Sequence, residues 1–178
     1  MELSTIGVVG ATAMGAGIAQ LCVQHGFEVV LLDETEAALG RAEDAVLRGL
    51  HRAEQPAAFS LLRKATDFRR LSGCDLVIDC GAGGIEAKRD QLRRIDARVE
   101  PSRVIAVQTS AIPVDCMASA VENPERVLGV HFFAPAPTAP LVELIRARHS
   151  SDRAVRTGLE FARRLEKTAV RCKDSPGF

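Results

Sequence analysis

The sequence predicts a doubly wound, mostly parallel α/β sheet, and three observations carry that prediction. Short, continuously apolar runs recur at Ile6–Val9, Val29–Leu32, Cys74–Cys80, Val104–Val107 and Val127–His131, the pattern of strands buried on both faces of a parallel sheet. Most of the segments between them space their apolar residues at helical period. The connections are short, and no repeat or low-complexity tract interrupts the alternation, so strands and helices follow one another as in a sheet covered on both sides.

Taken in order, Ile6–Val9 is the first strand and runs into the turn Gly10-Ala11-Thr12-Ala13-Met14-Gly15. Ile18, Leu21, Cys22 and Val23 suit the helix that follows, with His25 in its last turn and Gly26 as its stop. Val29–Leu32 is a second buried strand, ending in Asp33-Glu34. Thr35 can cap a helix reaching to about His51, whose Leu39, Ala42, Val46, Leu47 and Leu50 fall on one face. Pro56 marks its latest end. A short helix and an edge strand around Ala65–Phe68 are expected next, then the buried strand of CDLVIDC, residues 74–80. Gly81–Gly84 breaks that strand. A basic helix from Ile85 to about Arg98, a strand at Val104–Val107, a short helix at Val114–Val121 and a strand at Val127–His131 follow. Leu141–Ile145 reads as a strand, Asp152–Leu165 as a helix and Ala169–Cys172 as a last strand before Ser175-Pro176-Gly177-Phe178.

A chain of 178 residues can bury one core without disulfide or metal support, so a single domain over residues 1–178 is expected. Charge is balanced, with 23 basic and 23 acidic residues, which gives no general attraction to nucleic acid or to an anionic membrane. The five cysteines show no metal-ligand spacing, and no metal site is expected. They fit a reducing, cytoplasmic setting. No apolar run approaches membrane-spanning length, and the first residues carry no export signal.

The turn after the first strand is where this architecture places the pyrophosphate of a dinucleotide. Gly10 permits the sharp bend, Gly15 lets helix and strand approach, and the helix N-terminus offers N–H donors to phosphate. The middle position of the usual G-x-G-x-x-G pattern is Thr12. Asp33, at the end of the second strand, can accept hydrogen bonds from an adenosine ribose and repel a 2′-phosphate, favouring NAD over NADP. Asp33 could equally be a solvated residue ahead of a helix. A second group comprises Ser110 after one strand, His131 at the end of the next, and Glu143. A histidine can take a proton from a hydroxyl, a carboxylate on its other nitrogen fixes its tautomer, and a serine can orient the reacting oxygen. Singly, they also read as a hydrogen-bonded histidine beside phenylalanines, a surface acid and a turn residue.

The stretches GATAMGAGIAQ (10–20), VVLLD (29–33), Gln108-Thr109-Ser110, GVHFFAPAP (129–137), PLVEL (140–144) and KDSPGF (173–178) together resemble the N-terminal, NAD-binding domain of the L-3-hydroxyacyl-CoA dehydrogenase family. The resemblance spans essentially the whole chain and implies a Rossmann-like fold and reversible oxidation of a 3-hydroxyacyl thioester. It also implies His131 as base, Glu143 as its partner, Ser110 as a substrate contact, and cofactor contacts at Gly10, Thr12, Met14, Gly15, Asp33 and Lys88. Lys88 taken alone reads as a surface lysine. The chain departs from the family at Thr12, at Gln108 and Ala134 where asparagines are usual, and at Gly83 where an acidic cofactor contact is usual. The helical hairpin that contacts CoA is shortened, its serine and lysine aligning near Gly49 and Pro56. The family continues past the Pro-Gly-Phe segment into an all-helical domain, which this chain lacks; a homodimer or docking to a helical domain is therefore expected. Three functions stay open: a 3-hydroxyacyl-CoA dehydrogenase, a dehydrogenase of free hydroxy acids or carrier-bound acyl groups, and a non-catalytic nucleotide-binding or assembly module.

Overall fold

In the computed structural model, which describes residues 3–177, strands and helices alternate along the chain. They are β1 (Thr5–Val9), α1 (Ala13–Gln24), β2 (Glu28–Leu32), α2 (Glu36–Arg52), β3 (Leu62–Ala65), β4 (Leu76–Asp79), α3 (Ile85–Asp96), β5 (Val104–Gln108), α4 (Val114–Ala118), β6 (Val127–Phe132), β7 (Leu141–Arg146), α5 (Asp152–Arg164) and β8 (Thr168–Lys173). Met1, Glu2 and Phe178, the last residue of the KDSPGF stretch, lie outside the described residues. The strands form one sheet in the order β3-β2-β1-β4-β5-β6-β7-β8. One face carries α1, α2 and α5, packed through residues such as Ile18, Leu21, Leu39, Leu50 and Phe161. The other carries α3 and α4, packed through Leu92, Ile95, Val114 and Met117. The doubly wound, mostly parallel sheet expected from the sequence is therefore the observed fold.

Local chemistry starts the helices where expected. Thr12, Thr35 and Ser151 sit at the N-caps of α1, α2 and α5, each side chain accepting from the N–H three residues on, those of Gly15, Ala38 and Ala154. On α2 the buried face comprises Leu39, Ala42, Val46, Gly49 and Leu50, with Leu47 only partly buried.

Three expectations need correction. The edge strand is Leu62–Ala65, not Ala65–Phe68, because the Asp67 carboxylate accepts from the Arg69 N–H and opens a short 3-10 turn at Phe68. Its Arg63 and Lys64 face solvent, a common protection for a sheet edge. α3 and α4 stop at Asp96 and Ala118, short of Arg98 and Val121; Asp96 instead accepts from the buried Arg126 guanidinium and from the Glu122 N–H. β7 runs antiparallel to β6, with β8 parallel to β7. Residues 133–140 between β6 and β7 are too few for a parallel crossover of about a dozen residues, so the chain turns back on itself.

Asp75 ties together the starts of three strands. Its Oδ2 accepts from the Ser4 N–H at 2.9 Å, the Ser4 hydroxyl at 2.9 Å and the Thr5 N–H at 3.0 Å, and its Oδ1 pairs with Arg103 at 2.9 Å. Burial pushes the carboxyl up, but the Thr5 and Ser4 donors and Arg103 outweigh it, and the net direction is down. A carboxyl depressed by folding contributes stability above its unfolded value of about 3.9 and loses it as pH falls through the lower folded value. Replacing Asp75→Asn is expected to cost about 1–3 kcal/mol at neutral pH and to flatten the acid limb of the stability curve, checked by urea unfolding between neutral pH and pH about 3.

Candidate active site

The C-terminal ends of the parallel strands gather the glycine turn, the acidic residues and α1. Gly10 has φ +102°, and a Cβ there would lie 2.7 Å from the Gly81 nitrogen. A Cβ on Gly15 would lie 2.0 Å from the Gly10 carbonyl oxygen, so only glycine lets α1 sit this close to the turn. Thr12 has an ordinary extended backbone, φ −72° and ψ 171°. Its hydroxyl accepts from the Gly15 N–H at 3.0 Å and donates to the Cys80 carbonyl at 3.2 Å. Met14 packs its side chain against the core. Asp33 Oδ2 accepts from the Ala11 N–H at 2.8 Å, and Oδ1 accepts from the Thr35 N–H at 3.2 Å. A cleft of about 430 Å³ opens beside these groups; Gly10, Thr12, Asp33, Glu34, Phe68 and Arg94 line it. Arg94 is stacked 4.1 Å over the Phe68 ring and paired with Glu34.

Lys88 is not a surface lysine. Only 5% exposed, it donates to Asp79 Oδ2 at 2.9 Å and to the Gln108 carbonyl at 3.0 Å. Asp79, fully buried at the end of β4, also accepts from the Gly81 N–H at 2.9 Å and from Gln91 Nε2 at 2.5 Å. Burial pushes the Asp79 carboxyl up, and the Lys88 ammonium is the chief influence pulling it back. The pair braces the strand ends beneath the cleft. Lys88 thus belongs to the scaffold of the site, whatever contact it makes with a ligand.

His131 and Glu143 meet because β6 and β7 are antiparallel and register these two residues directly opposite one another. His131 Nδ1 lies 2.6 Å from Glu143 Oε2, with both side chains about one-fifth exposed, 18% and 22%. The Phe133 ring packs at 4.4 Å from the imidazole. Cys172 on β8 offers its thiol to Glu143 Oε1 at 3.8 Å, and burial followed by the Glu143 charge pushes that thiol up, keeping it protonated. Ser110 is exposed in the loop after β5. That loop is held from both sides: Gln108 Oε1 accepts from the Phe132 N–H at 3.0 Å, and Asp174 accepts from the Val114 and Asp115 N–H groups at 2.8 and 2.7 Å.

The structure thus brings Gly10, Thr12, Gly15 and Asp33 into one cluster and His131 and Glu143 into direct contact, with Lys88 buried between strand ends. Sequence reading passed over Asp79, Gln91, Gln108 as an acceptor, and Asp174. The signal for Asp79 was present: it is an acidic residue ending a buried strand, the same position that singled out Asp33.

A doubly wound sheet with a glycine turn, an acidic residue closing the second strand and a paired imidazole and carboxylate defines a dinucleotide-binding domain of dehydrogenase type. The chain belongs to the family of the 3-hydroxyacyl-CoA dehydrogenase, NAD binding domain, whose model matches residues 5–175. It is 37% identical over 187 residues to a 3-hydroxybutyryl-CoA dehydrogenase of Mycobacterium tuberculosis, covering 99% of this chain and 65% of that protein. It is 31% identical to the mitochondrial hydroxyacyl-coenzyme A dehydrogenase of Sus scrofa, covering 96% of this chain and 59% of that protein. The crystal structure of (S)-3-hydroxybutyryl-CoA dehydrogenase from Ralstonia eutropha superposes with a TM-score of 0.96 at 33% identity, over 99% of this chain and 66% of that one. The chain spans 59–66% of the length of these relatives. No helix among the described residues is long and apolar enough to cross a membrane.

The residues present fit NAD: the positive φ of Gly10, the close approach at Gly15 and the Asp33 carboxylate beside the cleft are the features a dinucleotide needs. The Lys88–Asp79 pair gives a direct test of the bracing. Lys88→Met strands a buried carboxylate and is expected to destabilise by about 3–5 kcal/mol at neutral pH. The loss should shrink as pH falls and Asp79 takes up a proton, and Asp79→Leu added to Lys88→Met should restore most of the stability; urea unfolding at neutral and acid pH reads both.

Proposed function

We propose that this chain is one NAD-binding domain, residues 1–178, of a 3-hydroxyacyl-CoA dehydrogenase. We further propose that His131, Glu143 and Ser110 serve the interconversion of a 3-hydroxyacyl thioester and its 3-oxo counterpart. The observation that carries the reading is the contact of 2.6 Å between His131 Nδ1 and Glu143 Oε2 at the same strand ends as the glycine turn. None of these polar groups is needed to fill the core.

NAD, when bound, supplies the two-electron acceptor. Gly10, Thr12, Gly15 and the α1 N-terminus would hold its pyrophosphate, and Asp33 its adenosine ribose. His131 takes the substrate hydroxyl proton at Nε2, since Nδ1 is committed to Glu143. Glu143 keeps that tautomer and stabilises the imidazolium that forms. Ser110, exposed in the loop after β5, donates to the substrate oxygen and orients the carbon that loses hydride. In the reverse direction the imidazolium returns the proton to the 3-oxo group. Docking of a further helical layer is proposed against the sheet edge formed by β8, where Val170 stands 44% exposed.

The test is reduction of a 3-oxoacyl-CoA thioester by NADH, run beside the corresponding free 3-oxo acid. The thioester should be reduced in preference, and His131→Ala should lower kcat by about 10²–10⁴-fold while leaving saturable NADH binding intact. NADH emission reports that binding cleanly because the chain has no tryptophan or tyrosine. Turnover indifferent to His131→Ala would overturn the assignment, and preference for the free acid would move the substrate to the hydroxy acids.

A further inference from the structure

At the site β6 outruns β5, and one side chain makes up the difference. The last register pair of these parallel strands is Gln108 with Val130, and the Thr109 N–H still donates to the Val130 carbonyl at 3.2 Å. There β5 stops. The Thr109 hydroxyl accepts from the Ile112 N–H and donates to the Ile112 carbonyl, both at 3.0 Å, and the chain turns away through Ser110. β6 runs on to Phe132, a residue only 2% exposed, whose N–H would be a buried orphan without a partner. Gln108 Oε1 meets that need at 3.0 Å, reaching two residues beyond its own register partner. His131 therefore sits between two backbone groups held to the end of β5, the Val130 carbonyl and the Phe132 N–H.

We infer that Gln108 is a positioning residue for the acid–base pair: its side chain fixes the backbone of His131 against the loop that carries Ser110, and so sets where the imidazole meets a substrate oxygen. The inference rests on the His131 reading above and adds to it a residue that acts only through the backbone of β6. Glu143 restrains the ring through Nδ1 from β7. Gln108 restrains, from β5, the backbone that carries the ring. Both restraints matter because proton transfer tolerates little displacement of its partners. The Gln108 carbonyl is engaged separately, by Lys88 at 3.0 Å, so a change of side chain leaves that tie in place.

Gln108→Met keeps the length of the side chain and removes the acceptor, whereas Gln108→Glu keeps the acceptor. Ser151→Ala, which removes the cap of α5, loses a comparable hydrogen bond elsewhere and serves as the control. Heteronuclear NMR of the ligand-free protein reads the Phe132 amide and the His131 ring, and His131→Ala identifies that ring among the four histidines. Reduction of a 3-oxoacyl-CoA thioester by NADH, each protein at its own pH optimum, reads the chemistry. In Gln108→Met the Phe132 amide should exchange about fivefold to tenfold faster and the His131 ring signals should shift. Its kcat should fall about tenfold, with KM and NADH affinity unchanged. Gln108→Glu should restore slow exchange and most of kcat, and Ser151→Ala should leave the ring signals and kcat alone. Ring signals unmoved by Gln108→Met would overturn the inference whatever the turnover. Failure of Gln108→Glu to recover, or an equal loss in Ser151→Ala, would assign the effect to packing or stability and overturn it too. Turnover lost in His131→Ala but unchanged in Gln108→Met would overturn it and leave the acid–base reading standing. Turnover indifferent to both substitutions would bring down both.

Discussion

A single buried carboxylate, that of Asp79, is the joint on which the site depends. It receives Lys88 from α3, the Gly81 N–H from the turn after β4, and Gln91, whose amide also reaches the Val9 carbonyl at the end of β1 at 3.4 Å. Lys88 passes the connection on to the Gln108 carbonyl at the end of β5, and the Gln108 side chain passes it to the backbone of β6. Four adjacent strands are thus tied at the edge that carries the glycine turn and the His131–Glu143 pair. Hydrogen-bonded sheet pairing alone would leave those ends to fray; a charge in a dry interior holds its partners strongly because losing any of them exposes it unpaired.

The second requirement is the reversal at β7. A parallel strand in that place would need a long crossover, and the imidazole of His131 would not face Glu143. The short proline-containing segment 133–140 forces the antiparallel return. The return sets His131 opposite Glu143, and β8 then supplies the Cys172 thiol behind the carboxylate. The chemistry of the pair is a product of sheet register.

The glycine turn is closed by a side chain as well as by backbone geometry. The Thr12 hydroxyl satisfies the Gly15 N–H and so stabilises the start of α1. Gly10 and Gly15 are fixed by backbone geometry that excludes any side chain.

Much of this was legible in the amino-acid order. Apolar runs, caps at Thr35 and the punctuation at Gly26 and Gly81–Gly84 placed nearly every element, because these are local signals of burial and backbone geometry. Asp33 and His131 were legible as residues ending strands, and Glu143 as an acid within an apolar strand. The edge strand slipped by three residues because its Arg63 and Lys64 carry no apolar pattern, and the direction of β7 was hidden because periodicity says nothing of orientation. Lys88 taken alone read as a surface cation and Asp79 was passed over; only α3 folding across the ends of β4 and β5 made them a buried pair. The sequence by itself determined which segments bury themselves and where the backbone can turn, since those depend on side chains and their near neighbours. Tertiary structure alone decided which polar groups meet and which donors stay open, since those depend on residues that fall far apart in the chain, as Thr12 and Cys80 do.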